Sequence, residues 1–496
     1  MSSFYVENFG CRATQADGAA IEQQFREQGL VRANAAMDAE FVVLNTCAVT
    51  AAAEQDARAA VRRIRRQNAD CKIVMTGCYA QRAPAEVAAL GGVSQVIGNS
   101  HKHTLAQIAL AGASRANISQ NREFIPVSDL ERASASLAGT AEIFVSDIFA
   151  HTELLAAPVF DSANERTRPN LKIQDGCNNR CSFCIIPSLR GRSRSLPVED
   201  VLREVNQLVE AGYREVVLSG INLGRWGKDL RVERPPSPVP SSEARQSTNS
   251  FEDLVRMILA HTSIEKLRIS SVEPMDWTDS LIQLVAESPR VAKHAHAPMQ
   301  SGSDAVLRRM HRKYRPWHYR EKIEKIRAAM PDAAIGADVM VGFPGETDTE
   351  FEETRRMIEA LPFTYLHVFT FSARPGTPAA TMPNQVPVHI ARERNRVLRE
   401  LAAEKKLDFM RRFIGRELQA ITLNVGGEDE NGVWTEALTD NYLKMRLRGT
   451  HDANRWLHAR VGTFQDGALV AVASDASVVA DPAATRIGRT VRLICA

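Results

Sequence analysis

No apolar run in the 496 residues approaches the ~20 that a membrane-spanning helix needs. The opening residues, Met1-Ser2-Ser3-Phe4-Tyr5, lack the basic and apolar regions of a secretory leader. A cytoplasmic protein with no membrane association is expected. Charge of one sign is missing too: 62 Lys and Arg against 59 Asp and Glu leave only +3, so any contact with nucleic acid must rest on local patches. The signatures His-Glu-x-x-His, Gly-x-Ser-x-Gly and the phosphate-cradling P-loop are absent, which argues against the common hydrolytic and nucleotide-binding readings. Cysteine is sparse. The eight cysteines, at 11, 47, 71, 78, 177, 181, 184 and 495, speak against a disulfide framework in a reducing compartment and for metal-binding or catalytic thiols.

Three of those cysteines are concentrated as Cys177-x₃-Cys181-x₂-Cys184, with Phe183 before the last. Three thiolates this close can hold three irons of a [4Fe–4S] cube and leave the fourth iron without a protein ligand, a place for chemistry rather than electron storage. A zinc site is the first alternative. It needs a fourth ligand from elsewhere, and the first histidine after Cys184 is the solitary His261. An electron-transfer iron–sulfur protein is the second, but its cubes take about four cysteines each, and seven besides Cys495 do not complete two.

Length implies about three domains. Residues 1–115 alternate apolar runs (4–6, 41–44, 72–76, 95–97) with helical stretches (19–28, 53–67, 85–90), the rhythm of a small parallel α/β sheet. Cys11, Cys47 and Cys78 each follow a strand, so they gather at the carboxyl edge, where such sheets bind ligands. They are candidates for a second [4Fe–4S] cluster. Cys71 opens a strand at the other edge and reads as structural. Residues 116–165 form a connector. From 166 to 400, strands at 171–174, 215–218, 266–269, 293–297, 334–341 and 365–371 alternate with helices, which predicts an incomplete (β/α)₆ barrel with its working end at the carboxyl edge. The Pro- and Ser-rich 231–250 is a surface insertion. A basic, amphipathic helical stretch at 385–412, with the linker helix placed at 401–416, leads to 417–496, where five short strands (418–424, 433–437, 442–447, 457–463, 468–473) predict a small β-barrel of the OB type.

The motifs together resemble the methylthiotransferase family of radical S-adenosylmethionine (SAM) enzymes. They are Asn8-Phe9-Gly10-Cys11, Asn45-Thr46-Cys47, Gly77-Cys78-Tyr79-Ala80, Gly176 to Pro187, Pro298-Met299-Gln300-Ser301-Gly302-Ser303 and Gly342-Phe343-Pro344-Gly345-Glu346-Thr347, with a C-terminal module like the family's TRAM domain. The resemblance implies two [4Fe–4S] clusters and SAM. The cluster on Cys177, Cys181 and Cys184 would reduce SAM to a 5′-deoxyadenosyl radical. The cluster on Cys11, Cys47 and Cys78 would present the sulfur that a first SAM methylates. An electron donor such as flavodoxin or ferredoxin is implied as well. Asn45-Thr46-Cys47-Ala48-Val49-Thr50, Ser219 to Gly224 and Leu366-His367-Val368-Phe369 resemble the branch acting on threonylcarbamoyladenosine in tRNA. Isopentenyladenosine in tRNA and a ribosomal-protein aspartate are the substrates of the other branches.

Gly220, Asn222, Gln300, Ser301 and Gly342 lie at strand ends of the barrel and are candidate SAM contacts. For tRNA, three basic groups stand out: Arg58, Arg62, Arg65 and Arg66 on one helix face; Arg190, Arg192 and Arg194 past the cysteines; and Lys444, Arg446 and Arg448 alternating along a strand.

Overall fold

Phe41–Thr46 and Lys72–Gly77 each hold a short apolar run, Phe-Val-Val-Leu and Ile-Val-Met, and both become central strands buried almost throughout, as parallel strands between helices must be. The computed structural model describes residues 2–10, 12–118, 141–151, 154, 167–230 and 250–474. Cys11, Cys495, most of the 116–165 connector and all but the last residue of 231–250 lie outside the described residues. The chain divides into two units, Met1–Phe409 and Met410–Ala496.

The first unit begins with strands β1 (Ser3–Asn8), β2 (Val31–Arg32), β3 (Phe41–Thr46), β4 (Lys72–Gly77), β5 (Val93–Ile97) and β6 (Glu142–Phe144). They form one parallel sheet in the order β2-β1-β3-β4-β5-β6. β6 comes from the expected connector; three residues are too short to show a period. The first helix, Arg12–Glu27, starts earlier than the 19–28 stretch suggests, and the helix Leu105–Ile118 was not expected.

A half-barrel follows: β7 (Asn170–Asp175), β8 (Arg194–Ser195), β9 (Glu215–Gly220), β10 (Lys266–Ile269), β11 (His294–His296), β12 (Ala334–Val341) and β13 (Tyr365–Thr370). One sheet runs β10-β9-β7-β8 and another β11-β12-β13. Backbone bonds from Leu267 N to Arg290 O (2.7 Å) and Val272 N to His296 O (3.0 Å) join them. Six strands are therefore parallel neighbours in the order β7-β9-β10-β11-β12-β13, and β8 is an antiparallel addition to β7. Alternate residues such as Leu171, Val216, Leu267, Ile335 and Val339 pack outward under the helices in one apolar core. The inward positions are largely polar instead, including Lys172, Gln174, Arg268, His296 and Asp338. A filled barrel would be apolar there, so the inner face is built to receive something polar.

One continuous helix, Val388–Arg411, fills the helical stretch expected at 385–412 and stops short of residue 416, where the linker helix is expected to end. In the second unit β14 (Glu417–Asp429), β15 (Gly432–Thr439), β16 (Lys444–Arg448), β17 (Trp456–Gln465) and β18 (Ala468–Ala473) close into a barrel in the order β14-β15-β16-β18-β17. Met445 and Leu447 of β16 point inward, which puts Lys444, Arg446 and Arg448 outside. Among the described residues no helix is long and apolar enough to cross a membrane.

Candidate active site

The loop after β7 carries Cys177, Cys181 and Cys184, all half-buried. Polar hydrogens already point at the sulfurs. The Asn179 backbone N–H lies 3.4 Å from Cys177 Sγ, Asn222 Nδ2 lies 3.5 Å from the same atom, and Arg312 Nη1 lies 3.2 Å from Cys181 Sγ. Burial pushes the Cys184 thiol up to about 12, and the neighbouring Cys181 and Cys177 add to the effect. Burial raises Cys177 as well. Cys177 and Cys184 thus resist ionisation in the protein alone, and a metal centre is what would hold them as thiolates, because it deprotonates what it coordinates. Among the described residues no three metal-ligating side chains converge on a single ion site. A cube makes no such demand, because each thiolate meets a different iron. The loop thus fits a [4Fe–4S] cluster.

The second group sits at the carboxyl edge of the N-terminal sheet. Cys47 and Cys78 follow β3 and β4 and are buried. The Val49 N–H lies 3.5 Å from Cys47 Sγ, and Asn99 Nδ2 lies 3.7 Å from Cys78 Sγ. Gly10, at φ +100°, passes so close over Cys47 that a methyl there would fall 2.8 Å from its sulfur. Only glycine permits both that conformation and that approach. Cys71 lies at the far edge, its thiol donating to Asn68 O at 3.3 Å.

One side chain spans the two groups. Asn99 also donates to Leu189 O at 2.8 Å, five residues past Cys184. Ile185 and Leu189 pack in the same apolar core as Ala48, Cys78 and Tyr79. Beside them lies a buried ionic network. Asp17, on the first helix, contacts Lys102 at 3.0 Å, Arg190 at 2.9 Å and Lys172. Asp175 contacts Lys172 and Arg190, each at 3.0 Å. Burial alone would raise the Asp17 carboxyl, but Arg190, Lys102 and Lys172 outweigh it and hold the group well below the usual range. Asp175 moves the same way: Arg190 and Lys172 overcome its burial. No sequence pattern announces this network, because a charged residue on its own does not declare its partner.

The network corrects one expected tRNA contact. Arg190 is 3% exposed and committed to two carboxylates, so no phosphate can reach it. Arg194 is also buried, donating to His151 O at 3.3 Å. Arg65 is spent on the backbone carbonyls of Ala69, Cys71 and Gly92. Arg58 pairs with Glu86 and donates to Tyr79 Oη at 2.8 Å. Arg62, Arg66 and Arg192 are exposed. On β16, Lys444 pairs with Glu436, Arg448 with Asp429, and Arg446 with Asp466 while lying over the Trp434 ring.

The candidate SAM contacts divide similarly. Asn222 stands beside Cys177, its backbone N–H held by Gln174 Oε1 at 2.7 Å. A side chain at Gly220 would strike that same Gln174. Gln300 adopts φ 62° and donates its backbone N–H to Asp338 O at 2.8 Å. Ser301 faces inward to Thr354 Oγ1 at 3.1 Å and is not offered to a ligand. Gly342 donates to Glu346 Oε2 at 2.6 Å and packs against Ala391, a turn rather than a binding surface.

Two family models match: the Radical SAM superfamily over residues 171–358 and the Uncharacterized protein family UPF0004 over residues 3–98. The chain is 36% identical over 452 residues to the threonylcarbamoyladenosine tRNA methylthiotransferase MtaB of Bacillus subtilis, covering 91% of this chain and 92% of that one. It is 33% identical over 479 residues to the tRNA-2-methylthio-N(6)-dimethylallyladenosine synthase of Acidothermus cellulolyticus, covering 95% and 85%. Among solved structures, the radical SAM methyltransferase TsrM of Kitasatospora setae shares the fold at a TM-score of 0.52 and 13% identity, over 76% of this chain and 74% of that chain. A cysteine loop suited to a cube, a polar half-barrel and relatives alike over nine-tenths of the sequence converge on one assignment: the chain belongs to the radical SAM methylthiotransferase family.

Proposed function

We propose that the protein adds a methylthio group to C2 of N6-threonylcarbamoyladenosine next to the anticodon of tRNA. That carbon bears an unactivated aromatic hydrogen that no side-chain acid or base can replace, so cofactors carry the hard step. Cys177, Cys181 and Cys184 would hold the cluster that binds SAM, and Cys11, Cys47 and Cys78 a second one. When bound, these groups supply a one-electron reductant, a hydrogen-abstracting radical, a methyl group and sulfur. The chain's own residues hold the two sites in register. Asn99 touches Cys78 and the backbone beyond Cys184 at once, and this single contact carries the reading. Asn222 and Arg312 present N–H groups to sulfur, which steadies thiolate charge.

Phosphate contacts are assigned to the exposed Arg62, Arg66 and Arg192 and to the outer face of β16, where Trp434 beneath Arg446 adds a stacking surface. An electron donor of the flavodoxin or ferredoxin kind in the cytoplasm would complete the cycle. Mass spectrometry of tRNA nucleosides from a deletion strain tests the substrate. The 2-methylthio mark should vanish from threonylcarbamoyladenosine and persist on isopentenyladenosine. The reverse pattern would favour the second substrate, which the Acidothermus relative's name carries.

A further inference from the structure

Three strands of the half-barrel carry a row of side chains on their inner faces with no role so far. β11 supplies His294 and His296, β12 supplies Asp338, and β13 supplies Tyr365, His367 and Phe369. The register puts His296 level with Gly336 and Tyr365, Asp338 level with His367, and Met340 level with Phe369. The intervening residues Ala295, Ala337, Val339, Leu366 and Val368 pack outward into the core.

The row is a connected wall. Tyr365 Oη lies 2.7 Å from His294 Nε2, and His296 Nε2 lies 3.3 Å from Asp338 Oδ1. The His367 ring is 5.6 Å from that of His296 and 5.4 Å from that of Tyr365. A side chain at Gly336 would occupy the place of the Tyr365 ring, so glycine there lets the phenol cross β12 to reach His294. Exposure rises along the wall: His294 is buried, His296 half-buried, and His367 and Phe369 exposed. The top of the wall meets the cysteine loop. Met340 and Phe183, the residue just before Cys184, pack against the same buried cluster of Val306, Met310, Phe343 and Ala379. The Asp338–His367 rung is two residues lower, about 7 Å.

We infer that this wall selects the substituent on N6 of the target adenosine: Phe369 stacks on the base, and the Asp338, His296 and His367 rung reads a polar arm bearing a carboxylate. This rests on the substrate reading above. A threonylcarbamoyl arm offers a carboxylate, a hydroxyl and N–H groups. An imidazole N–H donates to the carboxylate, and Asp338 accepts from the hydroxyl or N–H. Asp338 repels the arm's carboxylate, which fixes its orientation toward the imidazoles. A dimethylallyl arm has no such groups. Seated on the rung, it would strip water from Asp338 and return no hydrogen bond, which is costly. Sites built to hydrogen-bond a substrate reject analogues that lack the bonding group far more strongly than apolar pockets reject a size change. The aliphatic side chains that would suit a dimethylallyl arm, Val339 and Val368 among them, face the other way.

The test is binding without turnover. Anticodon stem-loop RNAs carrying threonylcarbamoyladenosine, isopentenyladenosine or unmodified adenosine at the same position are titrated by fluorescence anisotropy against the full chain with reconstituted clusters and no reductant. The wild type should bind the threonylcarbamoyl RNA about tenfold or more tightly than the unmodified one. His367→Ala and Asp338→Ala should shrink that gap to about twofold by weakening only the threonylcarbamoyl arm. His367→Asn, which keeps a donor, should recover part of it, and Phe369→Ala should weaken all three RNAs alike. Thermal unfolding and iron content establish that the variants are folded and loaded. A full gap persisting in both alanine variants overturns the inference while leaving the substrate reading intact. A wild type that prefers the isopentenyl RNA overturns both.

Discussion

Asp17→Asn strikes the protein where charge is most concentrated and least hydrated. The carboxylate is buried and faces Lys102, Lys172 and Arg190. Removing one member of a buried ionic cluster costs about 3–5 kcal/mol, because the charges left behind keep their desolvation penalty. For a unit the size of Met1–Phe409, unfolding entropy scales to about 1 °C of Tm per kcal/mol, so a thermal melt should fall by about 3–6 °C at pH 7. The pH dependence has a definite sign. The folded carboxyl sits below its ordinary value, so its contribution is complete above the unfolded value of about 4 and is lost as pH falls through the folded value. Asp175 shares that sign. The difference between wild type and Asp17→Asn should therefore hold steady between about pH 8 and 5 and narrow in acid. Adding Lys102→Met to the variant should return part of the loss, with a coupling of about 1–3 kcal/mol. A variant that melts with the wild type at pH 7, or a gap that widens in acid, refutes the reasoning.

Cys177→Ala should remove about four irons per chain and abolish reductive cleavage of SAM, read by iron and sulfide analysis and by 5′-deoxyadenosine release. Gly10→Ala forces a methyl against Cys47 Sγ; bound iron should fall by about half while SAM cleavage continues, and unchanged iron would count against the N-terminal cluster. Lys444→Ala, on the exposed face of β16, should lower the slope of log binding against log salt by about 0.9 in tRNA titrations. Arg65→Ala should leave that slope alone and lower the melting temperature, since its guanidinium holds three backbone carbonyls.

What the sequence revealed depended on how far each signal spreads along the chain. The strands at Phe41–Thr46, Lys72–Gly77 and Ala334–Val341 were legible because local apolar residues, as runs in the first two and in a longer mixed stretch in the third, declare themselves. β6 has three residues and no period. The cysteine loop was legible because its three cysteines are local. Asn99 was not, although it follows the end of β5 as Cys47 and Cys78 follow theirs, because nothing local marks an amide as a bridge. Arg190 and Arg194 looked like Arg192 in sequence. Only folding separates a guanidinium that meets Asp17 and Asp175 from one that meets water. The wall of histidines was hidden for the same reason: His296, Asp338 and His367 come from three strands far apart in sequence.

Ile185 and Leu189 follow the cysteine loop in the chain yet pack into the N-terminal core. The ribosome releases that core first, so its apolar socket is ready before the loop is made. A fragment expressed without the first hundred residues would expose two aliphatic side chains beside the cysteine loop and would invite clumping. Vectorial synthesis thus makes the N-terminal sheet a mould for the cysteine loop that follows it.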